Sequence, residues 1–314
     1  MNTSLAHPIF NSAEFFVETP MAIDLRNQLN AWVQSGATGG AIFGAYRCGK
    51  SRAIEFVSDQ IYNRLNQKIH TCRLTIHRRT AKTETSIFRN LCLSLRLVPK
   101  SRSTTDDMSD LVFHHFCDLA LKNDTKQVVL FVDEVHRLTI DQLEAFCEIY
   151  DKLVEVKVNI SIFFIGNSNT SANLIHLIEK ERNELIRGRF FTRRFDFSGV
   201  RTANQVRKIL SQYDKSHFPT PNGPSYTMHF AGEKCGKDFR LADLTEVIWE
   251  VFSDNYRNNL KLREWPMQYF ISTIQMLLVD YLPMYGVDND EQLYNSIYQS
   301  VEASELVSSL ARIA

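Results

Sequence analysis

No stretch of this chain approaches the run of about 20 apolar residues that crosses a bilayer, so no membrane partner is expected. The opening residues, MNTSLAHPIFNSAEFF, have neither the basic start nor the apolar core of a signal peptide, and the expectation is a cytoplasmic protein. The six cysteines stand far apart, at positions 48, 72, 92, 117, 147 and 235, with no C-x-x-C pair among them. That spacing argues against a zinc site or redox motif and for reduced, mostly buried thiols. Net charge is missing too: 36 Lys and Arg balance 36 Asp and Glu. Attraction to nucleic acid therefore has to come from local clustering. No internal repeat or low-complexity tract occurs. What is present, 314 residues of which 44% are hydrophobic, suits two unequal domains with ample core.

Gly44-Ala45-Tyr46-Arg47-Cys48-Gly49-Lys50-Ser51 fits G-x-x-x-x-G-K-[ST] at every fixed position. Gly40-Ala41-Ile42-Phe43 leads in as a short apolar strand. Ile54, Val57, Ile61 and Leu65 then repeat at the spacing of a helix face. Strand, glycine-bounded loop and helix make a phosphate site: backbone N–H groups curl around a polyphosphate and the helix N-terminus adds partial positive charge. Lys50 would reach the β- and γ-phosphates, the Ser51 hydroxyl would ligate Mg²⁺, and the run from Gly44 to Arg52 would hold the nucleotide. The sequence thus points to a bound nucleoside triphosphate.

Along the chain, Met21–Ser35 reads as a helix and His70–Ile76 as a strand. The polar turn His77-Arg78-Arg79-Thr80-Ala81-Lys82 follows, then a helix from about Thr85. Thr105 is expected to cap a helix whose first turn holds Asp106 and Asp107. Val128–Val132 is a continuous apolar run of the kind found in buried parallel strands. A helix over Thr139–Val154 and a strand over Asn159–Ile165 complete an alternation that argues a parallel sheet covered on both faces. Past Phe197 the pattern turns helical, with the longest helix marked by Leu241, Leu244, Val247, Ile248, Val251 and Phe252. The boundary falls near residue 200.

Asp133-Glu134-Val135-His136 follows directly on the buried strand. A carboxylate at that strand end faces the nucleotide loop of an open α/β sheet. Asp133 would hold Mg²⁺, and Glu134 would polarise an attacking water as general base. A helix N-cap is the alternative for Asp133. D-E-x-H also raises the DExH helicases, which need a second nucleotide-fold domain for which the helical C-terminal third leaves no room. At the tip of the next strand Asn167, with Ser168 second, could hold the attacking water; a turn favouring Asn and Gly explains them equally well.

Arg187-Gly188-Arg189-Phe190-Phe191-Thr192-Arg193-Arg194-Phe195 precedes a last short strand. With this segment the chain resembles the AAA+ ATPases: Walker A, a D-E Walker B, a polar strand tip, an arginine segment, then a helical lid. The resemblance implies an α/β fold with a parallel central sheet and a C-terminal lid. Its parts are an N-terminal arm (1–20), a nucleotide-binding domain (21–200), a lid (201–264) and a helical extension (265–314) that either closes the lid's core or binds a partner. In such enzymes the ATP site lies between subunits, and an arginine reaches the neighbour's γ-phosphate. Arg194 is favoured by position, then Arg193 and Arg189; surface pairing or DNA contact is the alternative for each. Arg240, at the start of the long lid helix, matches an arginine that folds onto the phosphates.

Within the AAA+ proteins the chain resembles the TnsC/TniB-type transposition regulators, with MuB more distant. This resemblance covers roughly residues 15–260. It implies ATP-bound rings or filaments on duplex DNA, linking a target-selection protein to a transposase and cleared by hydrolysis. Arg78, Arg79 and Lys82, with Arg73, Lys100 and Arg102, could line the inner surface of a ring and touch phosphates without reading bases; a solvated charged loop is the alternative. Two other functions stand beside this one. A replication initiator or helicase loader would carry a winged-helix or helix-turn-helix domain after the lid. A signalling NTPase would switch a partner without DNA.

Overall fold

Strand β1 (Gly39–Gly44), β2 (His70–Thr75), β3 (Gln127–Asp133), β4 (Asn159–Asn167) and β5 (Arg194–Phe197) form one sheet in the order β2-β3-β4-β1-β5. Every pairing is parallel. The structure, a computed structural model, describes residues 7–11, 15–78, 82–122 and 124–311. It divides into two units, one of residues 24–46 and 50–197, the other with 47–49, the chain before residue 24 and the chain after 197.

In the α/β unit the two-residue period of β4 sorts its side chains between two cores. Phe164 meets Phe146 edge-on at 5.2 Å between centroids, among residues of α3 (Glu84–Ser94), α4 (Thr105–Lys122) and α5 (Ile140–Glu155). Phe163 turns the other way and stacks on Trp32 of α1 (Pro20–Gln34). β3 is apolar from Val128 to Val132 because it is covered on both faces, and all five of these residues are buried. Parallel pairing demands crossover helices, which the sequence supplies between successive strands.

Local chemistry sets the helix ends, and here several expectations are corrected. Helix α2 is Lys50–Ser58 and does not continue to Leu65. The Asn63 side chain accepts from the N–H groups of Leu65 and Gln67 and bends the chain into a turn that leaves Leu65 78% exposed. Thr104, not Thr105, caps α4: its hydroxyl accepts from Asp107 N–H while the Asp107 carboxylate accepts from Thr104 N–H. Thr139 and Gln142 form the same reciprocal box at α5. After β4 come α6 (Ala172–Ile178) and the single turn α7 (Glu184–Ile186), which runs into a π-helical turn at Arg187–Phe191.

The second unit is helical, with α8 (Ala203–Lys215), α9 (Tyr226–Cys235), α10 (Thr245–Phe252), α11 (Met267–Met276), α12 (Leu282–Tyr285), α13 (Asp290–Ala303) and α14 (Leu306–Ala311). The helix expected around Leu241–Phe252 is a 3₁₀ turn (Leu241–Leu244), then α10, then a π turn (Ser253–Arg257), and the helical run 267–285 exceeds it. Asp214 organises this region: its carboxylate accepts from Thr227 Oγ1 and from the N–H groups of Leu241 and Ala242. Within the stretch expected as an N-terminal arm, His7 and Ile9 are buried in this unit. All six cysteines are free thiols, three of them buried and three half-buried.

Candidate nucleotide site

The glycine-bounded loop leaves β1 at Gly44 and enters α2 at Lys50. Two residues take left-handed backbone conformations there, Arg47 at φ 60° and Gly49 at φ 97°. Such a conformation is free for glycine and costly for arginine, which is held in the second unit: its guanidinium donates to the Tyr269 hydroxyl and its carbonyl accepts from Gln268 N–H. Cys48 is fully buried, whereas Ala45 and Tyr46 are exposed. Lys50 Nζ donates to the carbonyls of Gly44 (3.0 Å) and Ala45 (2.7 Å), which keeps the ammonium against the loop. Arg52 points away, pairing with Glu55 at 2.6 Å.

β3 carries the second half of the site. Asp133 is 6% exposed, and its carboxylate is fully engaged. Oδ2 accepts from Ser51 Oγ at 2.8 Å and from Arg73 Nη2 at 3.3 Å, and Oδ1 accepts from Glu134 N–H at 2.9 Å. Glu134 sits at φ 65°, ψ 41°, a strained conformation for a side chain of its kind at the end of a sheet strand. Its Oε2 lies 3.3 Å from His136 Nδ1 and 3.6 Å from the Arg137 guanidinium. Arg137 also donates to the carbonyl of Ile76, just past β2, at 2.8 Å. On the other side, the register of β1 and β4 sets Asn167 opposite Gly44. Its Oδ1 closes a turn by accepting from Asn169 and Thr170 N–H, which directs the remaining amide N–H groups elsewhere. Ser168 donates its N–H to the Gly44 carbonyl.

The sheet thus brings Lys50, Ser51, Asp133, Glu134 and Asn167 together at one end. The three arginines expected as candidates to reach a neighbour, Arg189, Arg193 and Arg194, lie elsewhere. Arg194 pairs in register with Ala41, so its backbone stops three residues short of Gly44, about 10 Å along the strand. It is ion-paired with Asp196 at 2.8 Å and lies over the Phe43 ring, lining a shallow cleft with His176 and Glu179. Arg193 is half-buried beside Gly40. Arg189 is taken up within its own unit by Asp151 (2.7 Å) and the Tyr150 ring. Burial is the largest single influence and works against its charge, but the hydrogen bond and charge of Asp151, together with Cys147, raise its pKa above the usual value. Arg240 is exposed at the start of the Leu241–Leu244 turn in the helical unit.

Of the residues expected to contact DNA, Arg78, Lys82, Lys100 and Arg102 are exposed. Arg79 lies outside the described residues. Arg73 is held at Asp133 and so does not share their exposed surface.

Residues 33–174 match the family model described as an AAA domain. Among solved structures the chain is similar to the Aeropyrum pernix ORC2 protein in its ADPNP–ADP complexes, with a TM-score of 0.51 at 10% identity, covering 96% of this chain and 72% of that one. It is similar also to Drosophila ORC bound to DNA, with a TM-score of 0.50 at 14% identity, covering 98% of this chain and 69% of that one. The fold is the AAA+ P-loop fold. No curated protein matches the chain. The narrower TnsC/TniB resemblance finds no support in these comparisons.

Two residues at the candidate site were not expected there from the sequence. Arg137 carried no signal beyond its place after D-E-V-H. Arg73 was assigned to DNA because it precedes a basic turn, although its alternation with Cys72 and Leu74 already placed it on a strand beside β3.

Proposed function

We propose that this protein is an ATP-hydrolysing AAA+ switch that assembles on duplex DNA in its triphosphate state, of the replication-initiator or helicase-loader type. The observation that carries the ATPase reading is the Ser51 hydroxyl bonded to the Asp133 carboxylate beside Lys50 and Glu134. Hydroxyl and carboxylate oxygens are the donors Mg²⁺ prefers, so the residues fit the cation, with Ser51 and Asp133 holding it directly or through water. Mg²⁺, when bound, neutralises charge on the phosphate oxygens. Lys50 supplies a further positive charge at the loop, the loop N–H groups bind phosphate oxygens, and Glu134 accepts a proton from water. His136 and Arg137 orient that carboxylate.

The likeness to ORC chains, one solved with nucleotide and one with DNA, supports the initiator-type reading over nearly the whole chain. The exposed Arg78, Lys82, Lys100 and Arg102 provide phosphate contacts that are individually weak and sum over an oligomer. One observation favours a second reading, the transposition regulator that joins a target-selection protein to a transposase. Among the described residues, 267–311 form helices and turns and no strand, a compact helical extension of the kind that reading expects.

Electron microscopy and footprinting of the protein on duplex DNA with a slowly hydrolysed ATP analogue test both. Nucleotide-dependent particles with a bounded footprint are expected for the initiator type. Extended, sequence-indifferent coating would favour the transposition regulator, and turnover and assembly indifferent to DNA would reject both. In the same assays Glu134→Gln should keep nucleotide binding and stabilise DNA-bound assemblies while turnover falls by about 10²-fold or more. Lys50→Ala should lose nucleotide affinity first and assembly as a consequence. Turnover near wild type in Glu134→Gln would remove that residue from the base role.

A further inference from the structure

Asp133 Oδ2 has two partners, and they are of different kinds. Ser51 is a neutral hydroxyl at 2.8 Å; Arg73 is a full positive charge at 3.3 Å, brought in by the neighbouring strand β2. The parallel register sets Thr75 opposite Asp133, so Arg73 reaches up the sheet by one strand period to meet it. The Asp133 side chain is only 9% exposed, and a carboxylate so far out of water needs a cation beside it. Arg73 also carries an unspent donor: its Nε is buried and has no hydrogen-bond partner among the described residues. A buried N–H without an acceptor is costly. The guanidinium therefore stands where a divalent cation would otherwise be the positive partner of Asp133, at the edge of a pocket for a polyanion.

We propose that Arg73 is a resident counter-ion of Asp133 that competes with the divalent cation for that carboxylate and so sets how much Mg²⁺ the protein needs to retain nucleotide. The proposal rests on the Mg²⁺–ATP reading of the pocket. Without the divalent ion, the guanidinium holds the Asp133 carboxylate in place. With it, two positive groups face one carboxylate and repel each other, which raises the cation concentration required for loading. Arg73 is accordingly a positioning residue.

The test is the Mg²⁺ dependence of binding of a fluorescent, slowly hydrolysed ATP analogue to the full-length protein. In Arg73→Gln, which removes the charge and keeps an amide donor, the half-saturating Mg²⁺ concentration should fall by about tenfold, the scale of one charge-assisted hydrogen bond on a part-exposed side chain. Arg73→Lys, which keeps the charge but loses the fork, should fall by about threefold, and it serves if the glutamine variant does not fold. A midpoint equal to or above wild type in the variant measured overturns the proposal. A second readout excludes a merely structural role: the melting midpoint of the variant should drop in chelator and recover on adding Mg²⁺. A drop that Mg²⁺ does not reverse counts against competition. Should the wild-type protein bind no nucleotide at any Mg²⁺ concentration, the pocket reading fails, an outcome distinct from an unmoved midpoint.

Discussion

Gly166, the residue before Asn167, has no room for a methyl group. A Cβ there would lie 2.6 Å from Val135 Cγ1 and 2.7 Å from Ser171 Oγ. Val135 follows Glu134 in the chain, so this contact sets how closely the tips of β3 and β4 approach. Gly166→Ala should destabilise the α/β unit by about 1–3 kcal/mol through overpacking, read as a lowered melting midpoint. An unchanged midpoint would mean that the two tips yield at no cost. The same few residues mark what a sequence can and cannot disclose. That Gly44, Lys50, Ser51 and Asp133 meet at one end of the sheet was legible because the motif fixes both residue type and spacing. The left-handed backbone at Arg47 and Glu134 was not, since neither residue favours it intrinsically and each is held there by groups distant in the chain. Arg73 was misread because its partner, Asp133, lies on another strand, 60 residues further along.

At the level of elements, periodicity was the readable signal, while the cap expected from the sequence, Thr105, lies a residue past the true one. Thr139, Thr202 and Asn289 each cap a helix by accepting from an N–H three residues on, as their residue types favour. The short α2 and the π turns were hidden, because they depend on competition between side chains and backbone at particular sites. The first residues offer a test at this scale. His7 packs among Phe218, Tyr226, His229 and Phe230, with ring centroids 4.4–4.8 Å away, and its Nδ1 accepts from Ile9 N–H. Burial, reinforced by the neighbouring His229, lowers its pKa from the usual 6.5 to about 4. The folded state therefore favours neutral His7. Its contribution to stability is intact above pH 6.5, and is lost as pH falls from 6.5 through about 4, where the unfolded chain binds the extra proton. His7→Phe should flatten that part of the melting-versus-pH curve; an equally steep curve would show that His7 plays no part in it.

For the whole molecule the question is whether one chain completes its own site. Arg194 is about 10 Å along the strand from its own loop, which suits an arginine that serves a neighbour. Arg194→Ala should then bind nucleotide normally and lose turnover by about 10³-fold. Mixing it with Lys50→Ala should restore activity, since each variant supplies what the other lacks. No recovery in mixtures would place hydrolysis within single chains. Balanced charge also limits the DNA reading: with 36 positive and 36 negative side chains, affinity has to come from repetition of a small basic patch and should fall steeply with salt.

Arg137 spans from the Glu134 carboxylate to the carbonyl of Ile76, where β2 gives way to residues 77–82. A shift at Ile76 would therefore be felt by the guanidinium that sits against Glu134, the proposed base. A polyanion gripping the rim could thus quicken or stall the catalytic clock while the loop around the phosphates stays still, and the effect of DNA on turnover is its gauge.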